Sequence, residues 1–178
     1  MSVYFGGSRH LGNLPIVAQV VSAAINSGQR VHVGCQYGAD QKIIEVGLRV
    51  SCMLSVFAVA PFENLPPHVR ECIHTQASVT VSAGGNTAPI PARYLLRSIA
   101  AFQGCSMAMF FQPGSGSLAV ARECVRSGLP VFAINPTAGR KSTPPASIPS
   151  VSGQWVRSLF FGQFLCWRWS APAQLSLF

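Results

Sequence analysis

The sequence predicts an α/β fold in which a parallel sheet is covered by helices on both faces. Three observations predict it. Apolar, β-rich runs alternate with helix-like segments along the first three quarters of the chain. Those runs are continuously apolar, as expected of strands buried on both sides. The Gly- and Ser-rich turns all follow strands, so a parallel arrangement gathers them at one sheet edge, where such sheets bind ligands.

Taken in order, Val3–Phe5 is a first strand ending in Gly6-Gly7-Ser8-Arg9. Leu14, Val17, Val21 and Ile25 form a helical stripe that Gly28 stops. Val31–Gly34 is a short strand, followed by Tyr37-Gly38-Ala39-Asp40 and a helix to about Val50. Cys52–Ala60 reads as a fully buried strand, and Pro66-Pro67 opens a helix to about Gln76. Ser78–Ser82 is a strand broken by Gly84-Gly85-Asn86, and Pro91 to about Gln103 is helical. Ser106–Phe111 is a strand, Gly114–Gly116 a tight turn, Ser117–Ser127 a helix and Pro130–Ile134 a last strand. The expectation is a Rossmann-like domain over residues 1–136, a Pro/Ser-rich linker or extended wrap over 137–152, and an aromatic segment over 153–178. Within that segment Trp155–Trp169 suggests a hairpin around Gly162, covering one flank of the sheet.

Composition narrows the function classes. Hydrophobic residues make up 49% of the 178 and charged residues only 10%, which is core-forming material and not that of a disordered chain. The net charge is +8, and residues 136–178 hold Arg140, Lys141, Arg157 and Arg168 with no acid, so phosphate-bearing partners are favoured. The six cysteines show no CxxC spacing, so no metal site or cofactor is expected, and their apolar settings suit a cytoplasmic protein. The N-terminus has no signal-like basic region, and the apolar runs are too short to span a bilayer, so no membrane role is expected.

Four constellations carry candidate chemistry. Gly6, Gly7, Ser8 and Arg9 allow close backbone approach to a phosphate and add donors, although a tight turn with a solvated Arg would look the same. Gly34 through Asp40, with Gly38 and Asp40 as the candidates, follow the second strand; the carboxylate can accept from a ribose or base, or cap the next helix. Gly114, Ser115, Gly116 and Ser117 place free amides and hydroxyls at a helix start, where the helix dipole favours anions; the alternative is a serine-capped turn. Arg93 and Arg97 lie four residues apart on one helical face, able to rim a phosphate site or to form a solvated basic face. Tyr37, Tyr94 and the tail tryptophans could stack bases if exposed. His10, His32, His68 and His74 are scattered and the five acids unpaired, so no catalytic residues are assigned.

In this order, the GSR and GAD turns, the Arg-bearing helix, Ser115-Gly116-Ser117-Leu118-Ala119-Val120-Ala121-Arg122 and Gly128-Leu129-Pro130-Val131-Phe132-Ala133-Ile134 resemble the SLOG superfamily. They are most similar to its DNA-processing protein A (DprA) family, over about residues 2–136. The resemblance implies a Rossmann-like core and a nucleotide or single-stranded DNA as partner, in recombination, replication or repair. That family's second-strand turn reads GIDxxAH, whereas Gly38-Ala39-Asp40 has no following His, and its RNR motif corresponds to Arg93-Tyr94-Leu95-Leu96-Arg97. The chain is also similar to the Lonely Guy phosphoribohydrolases, in which Arg93 would match an active-site Arg. Their PGGxGTxxE motif is here the shorter PGSGS, with Val120 about where the catalytic Glu would stand. Losing that carboxylate would cost on the order of a hundredfold or more in rate. A DNA-binding factor, a sensor or sequestering protein for a small nucleotide and, more weakly, a phosphoribohydrolase are the competing expectations.

The last five residues, Gln174-Leu175-Ser176-Leu177-Phe178, resemble the bacterial sliding-clamp-binding consensus QL(S/D)LF. A chance match in a chain of this length is roughly a one-in-several-thousand event. The resemblance implies the sliding clamp as partner, with avidity if the protein forms a homo-oligomer; the alternative is a C-terminal strand packed on its own domain.

Overall fold

The structure is a computed structural model that describes residues 1–11, 15–50, 53–59, 65–75, 77–80, 89–135 and 143–172, with the side chain of Pro91 also left aside. The Gly84-Gly85-Asn86 break and the 174–178 motif lie outside these residues, as do residues 137–142 of the 137–152 segment.

Six parallel strands alternate with five helices. They are β1 (Ser2–Gly7), α1 (Pro15–Asn26), β2 (Arg30–Val33), α2 (Ala39–Val50), β3 (Leu54–Phe57), α3 (Pro67–Ile73) and β4 (Ser78–Thr80), then α4 (Ile90–Phe102), β5 (Met107–Phe111), α5 (Ser115–Arg126) and β6 (Val131–Ile134). A hairpin, β7 (Gln154–Phe160) and β8 (Phe164–Ser170), completes an eight-stranded sheet in the order β4-β3-β2-β1-β5-β6-β8-β7. β8 joins β6 antiparallel, with Phe132 opposite Arg168 and Ala133 opposite Trp167. The aromatic segment thus lengthens the sheet instead of lying over its flank, as the sequence had suggested.

Alternation within each strand explains why the runs are apolar throughout. In β1, Val3 and Phe5 point into the core shared with α1, α2 and α3, while Tyr4 points to the α4/α5 side. Phe5 stacks on Phe111 at 5.9 Å and meets Phe160 edge-on at 6.2 Å, so the hairpin is anchored in the first core. Each fully buried Phe contributes roughly 1.5–3 kcal/mol. On the other side Ile148, from the stretch before β7, is buried against α5 and Trp169, and Trp155 Nε1 donates to the Ala146 carbonyl at 2.9 Å.

The hairpin turns where expected, with left-handed φ at Phe161 (49°) and Gly162 (69°), the backbone that right-twisted strands prefer in a tight turn. Several elements differ from the sequence reading. The third strand is only Leu54–Phe57, and α5 begins at Ser115, two residues early. Among the described residues, no helix is long and apolar enough to cross a membrane.

Candidate functional site

The chain reverses its direction of travel across the sheet between β1 and β5. β2, β3 and β4 step away on one side of β1, and β5 and β6 on the other. The loops leaving β1 and β5 therefore diverge and open a crevice at the carboxyl edge. A cleft of about 620 Å³ occupies it.

The β1 turn forms one wall. Ser8 N–H donates to the Phe111 carbonyl at 3.0 Å, and the Ser8 carbonyl accepts from Ala39 N–H at 3.0 Å, tying the turn to β5 and α2. Gly7 has to be glycine: a Cβ there would run into the Phe111 carbonyl and stand 2.7 Å from Ala39 Cβ. Gly38 has φ +78°, and its bare Cα lets the backbone of Ser8 and Arg9 pass.

The first turn of α5 forms the facing wall. Its N-cap is Gly114, extended at φ −87° and ψ −175° with no side-chain cap. The serine cap suggested by the sequence is replaced by serines inside the helix. Ser115, Gly116 and Ser117 then carry first-turn amides that have no intrahelical acceptor. Ser117 Oγ donates to the Gly7 carbonyl at 2.8 Å and joins the two walls.

The floor is a buried ion pair. Arg97 is 4% exposed and Asp40 6%, and Arg97 Nη1 stands 3.4 Å from Asp40 Oδ2. Asp40 is in the first turn of α2, not at its cap, and accepts from Gln36 N–H at 3.1 Å. A Cβ on Gly34 would overlap the Arg97 guanidinium and the Asp40 carboxylate, so this glycine makes room for the pair. Burial pushes the Asp40 carboxyl above its usual range, against the opposing charge of Arg97 and the Gln36 N–H bond. Burial is the largest influence on Arg97 and works to discharge it, but Asp40, Tyr4 and Cys35 together outweigh it and hold the guanidinium cationic. Arg97 Nε is buried without a hydrogen-bond partner among the described residues. Both Arg9 (5.4 Å) and Arg97 (6.0 Å) lie near the Tyr94 ring, and burial also raises the Tyr4 phenol.

The structure thus brings Gly7, Ser8, Arg9, Asp40, Arg97, Gly114, Ser115, Gly116 and Ser117 to one cleft. Gly6, Gly38 and Arg93 do not line it, and Arg97 sits on the floor and not at the rim. Sequence reasoning missed Tyr4 and Ser98, and it gave Gln36 and Gly34, within the Gly34–Asp40 turn, no role of their own. The signal available was a polar-tipped Tyr inside an otherwise apolar first strand. Tyr94, read as a stacking candidate, lines the cleft beside Arg9 and Arg97; Tyr37 is 57% exposed.

Among the described residues, no three His, Cys, Asp or Glu are placed to hold a metal. The described cysteines are buried free thiols; burial raises Cys72 and Cys166 to about 11 and Cys105 to about 12, which leaves them poor nucleophiles.

No protein-family model and no curated protein matches the chain. Two solved structures do. DNA processing protein A from Streptococcus pneumoniae superposes with a TM-score of 0.62 at 18% identity, covering 77% of this chain and 51% of that one. DNA processing protein A from Helicobacter pylori, a structure of its single-stranded DNA binding mode, superposes with a TM-score of 0.61 at 17% identity, covering 80% and 68%. The fold is DprA-like. The cleft lies at the strand-reversal point of that Rossmann-like sheet, and the chain spans about half of the pneumococcal DprA.

Proposed function

We propose that the cleft binds the phosphate groups of single-stranded DNA, making this a DprA-like, SLOG-type DNA-binding factor. One observation carries the reading: Arg97, a buried cation paired with Asp40 through Nη1 but with no hydrogen-bond partner at Nε among the described residues, lies beneath two convergent phosphate-type turns, Gly7–Arg9 and Gly114–Ser117. Unfilled amides at a helix start and a guanidinium with an unused N–H suit an anion better than any neutral ligand. The fold shared with a protein that binds single-stranded DNA adds to it. Anisotropy titration of a labelled oligonucleotide tests it. Binding should weaken steeply with salt and be lost in Arg97→Met. No binding at low salt, beside tight binding of a mononucleotide, would replace this reading with a nucleotide sensor. That second reading is favoured by the Asp40–Arg97 floor, which offers both an acceptor and a donor to one base or ribose.

A phosphoribohydrolase is disfavoured because Val120 lines the cleft with an apolar side chain. For the C-terminal motif we propose recruitment to the sliding clamp, with Gln174 hydrogen-bonding and Leu175, Leu177 and Phe178 filling apolar pockets around Ser176. A five-residue segment gives an affinity on the order of micromolar. Deleting 174–178 should abolish clamp binding and leave stability unchanged; unfolding on deletion would mark the motif as a packing element.

A further inference from the structure

The β7–β8 hairpin is not used by the cleft, yet its position relative to the cleft is specific. Because β8 runs antiparallel to β6, its first residues and the hairpin turn lie at the carboxyl edge of the sheet, the edge that holds the cleft. Ala133 faces the α4/α5 core, so its partner Trp167 and the alternate residues Leu165 and Trp169 share that side. Across the hairpin, Arg157 pairs with Trp167 and Leu159 with Leu165. These four residues form a ladder on the side of the sheet that also carries α5. β8 is two strand spacings from β5, about 10 Å.

The ladder is open and basic. Leu159 is 53% and Leu165 59% exposed, and the Arg157 guanidinium lies 5.5 Å from the Trp167 ring centroid. No carboxylate pairs with Arg157 or Arg168 among the described residues, and the sequence has no acid after Glu123. A second copy is a poor occupant. Antiparallel self-pairing of β7 about its middle residue would set Arg157 against Arg157, and like charges directly opposite are destabilising. A flexible polyanion that carries flat apolar groups matches both the charge and the aromatic–aliphatic surface.

We propose that the hairpin is a second contact for single-stranded DNA. A strand held in the cleft passes over the start of α5, sets a phosphate on Arg157 and stacks a base on Trp167 and the Leu159–Leu165 pair. This rests on the cleft reading, and oligonucleotide length separates the two. Anisotropy is measured with oligothymidylates of about 4 and about 16 nucleotides, on the intact chain and on Arg157→Ala/Trp167→Ala. The long strand should lose about tenfold or more in affinity and its salt slope should fall by about one, while the short strand is unaffected. Arg157→Ala alone, at an exposed position, should show the salt effect with unchanged folding, and Arg157→Lys should restore it. Equal loss for both lengths, or no loss for the long one, overturns the hairpin contact. A change in sedimentation of the free protein overturns it in favour of an interface between copies. Failure of the short strand to bind the intact chain overturns the cleft reading instead.

Discussion

Arg97 on α4 and Asp40 on α2 come from elements on opposite faces of the sheet and meet at its carboxyl edge, Nη1 3.4 Å from Oδ2, with Gly34 beside them. Two buried opposite charges at this distance offset their desolvation only while both are present. Asp40→Asn or Arg97→Met should each destabilise by about 3–5 kcal/mol, read as a lower urea midpoint. The double variant Asp40→Leu/Arg97→Met should recover most of that loss and still fail to bind an anion. A double variant whose loss equals the sum of the two single losses would show the pair to be uncoupled.

The same pair makes Gly34 a sensitive position. An alanine methyl would occupy the space of the Arg97 guanidinium. Gly34→Ala is expected to cost roughly 1–3 kcal/mol and to weaken ligand binding at least as much as Arg97→Met. Gly116→Ala is the control for stability alone, because a Cβ there meets nothing within the protein.

Much of this was legible in the sequence, for a physical reason. Strands buried on both faces are continuously apolar, so Val3–Phe5, Ser106–Phe111 and Pro130–Ile134 could be found without knowing their partners. The turns after β1 and β5 were legible because Gly and Ser there answer local backbone needs. Arg97 was placed on the right helix at the wrong depth. Four-residue spacing tells which helical face a side chain is on, and only the packing of α4 against β1 and β2 decides whether that face is buried. Gly34 was illegible, since its constraint comes from a side chain more than sixty positions later. The hairpin's place in the sheet was illegible too, because edge pairing depends on which strand is left unpartnered.

Acid should weaken the fold through His68. Burial lowers its folded-state pKa below the ordinary 6.5. A lowered folded pKa gives stability that is fully present above 6.5 and lost as pH falls through the folded value. His68→Gln should therefore flatten the loss of stability seen between neutrality and mildly acidic pH. Asp40 contributes with the opposite sign, its raised carboxyl favouring the fold at low pH; His68 is the last and smallest influence on it, after burial, Arg97 and the Gln36 N–H, so most of that contribution is common to both proteins. Parallel stability–pH curves would remove His68 as a source.

Release of free base from nucleoside monophosphates is expected to be at background. Val120 stands in the cleft wall with no carboxylate of its own, and Asp40, the acid that lines the cleft, is tied to Arg97 and Gln36 N–H. Chromatographic detection of turnover that disappears in Asp40→Asn would refute this and reinstate the hydrolase.

The amides of α5 can be tested without disturbing the helix. Ser115 is the first helical residue, where proline is well tolerated because its missing N–H has no intrahelical acceptor. Gly114 before it is already extended, the conformation that a following proline demands. Ser115→Pro thus deletes one amide and one hydroxyl aimed at the cleft at little cost to folding. If those donors hold a phosphate, affinity for a short oligonucleotide should fall about 10- to 100-fold, as for loss of hydrogen bonds to a charged group. Ser117→Ala behaves differently, because Ser117 Oγ is bonded to the Gly7 carbonyl at 2.8 Å. It should cost about 1 kcal/mol of stability by losing the link between the two walls. A Ser115→Pro protein that melts like the parent and binds DNA equally well would mean that the α5 amino end does not hold the phosphate.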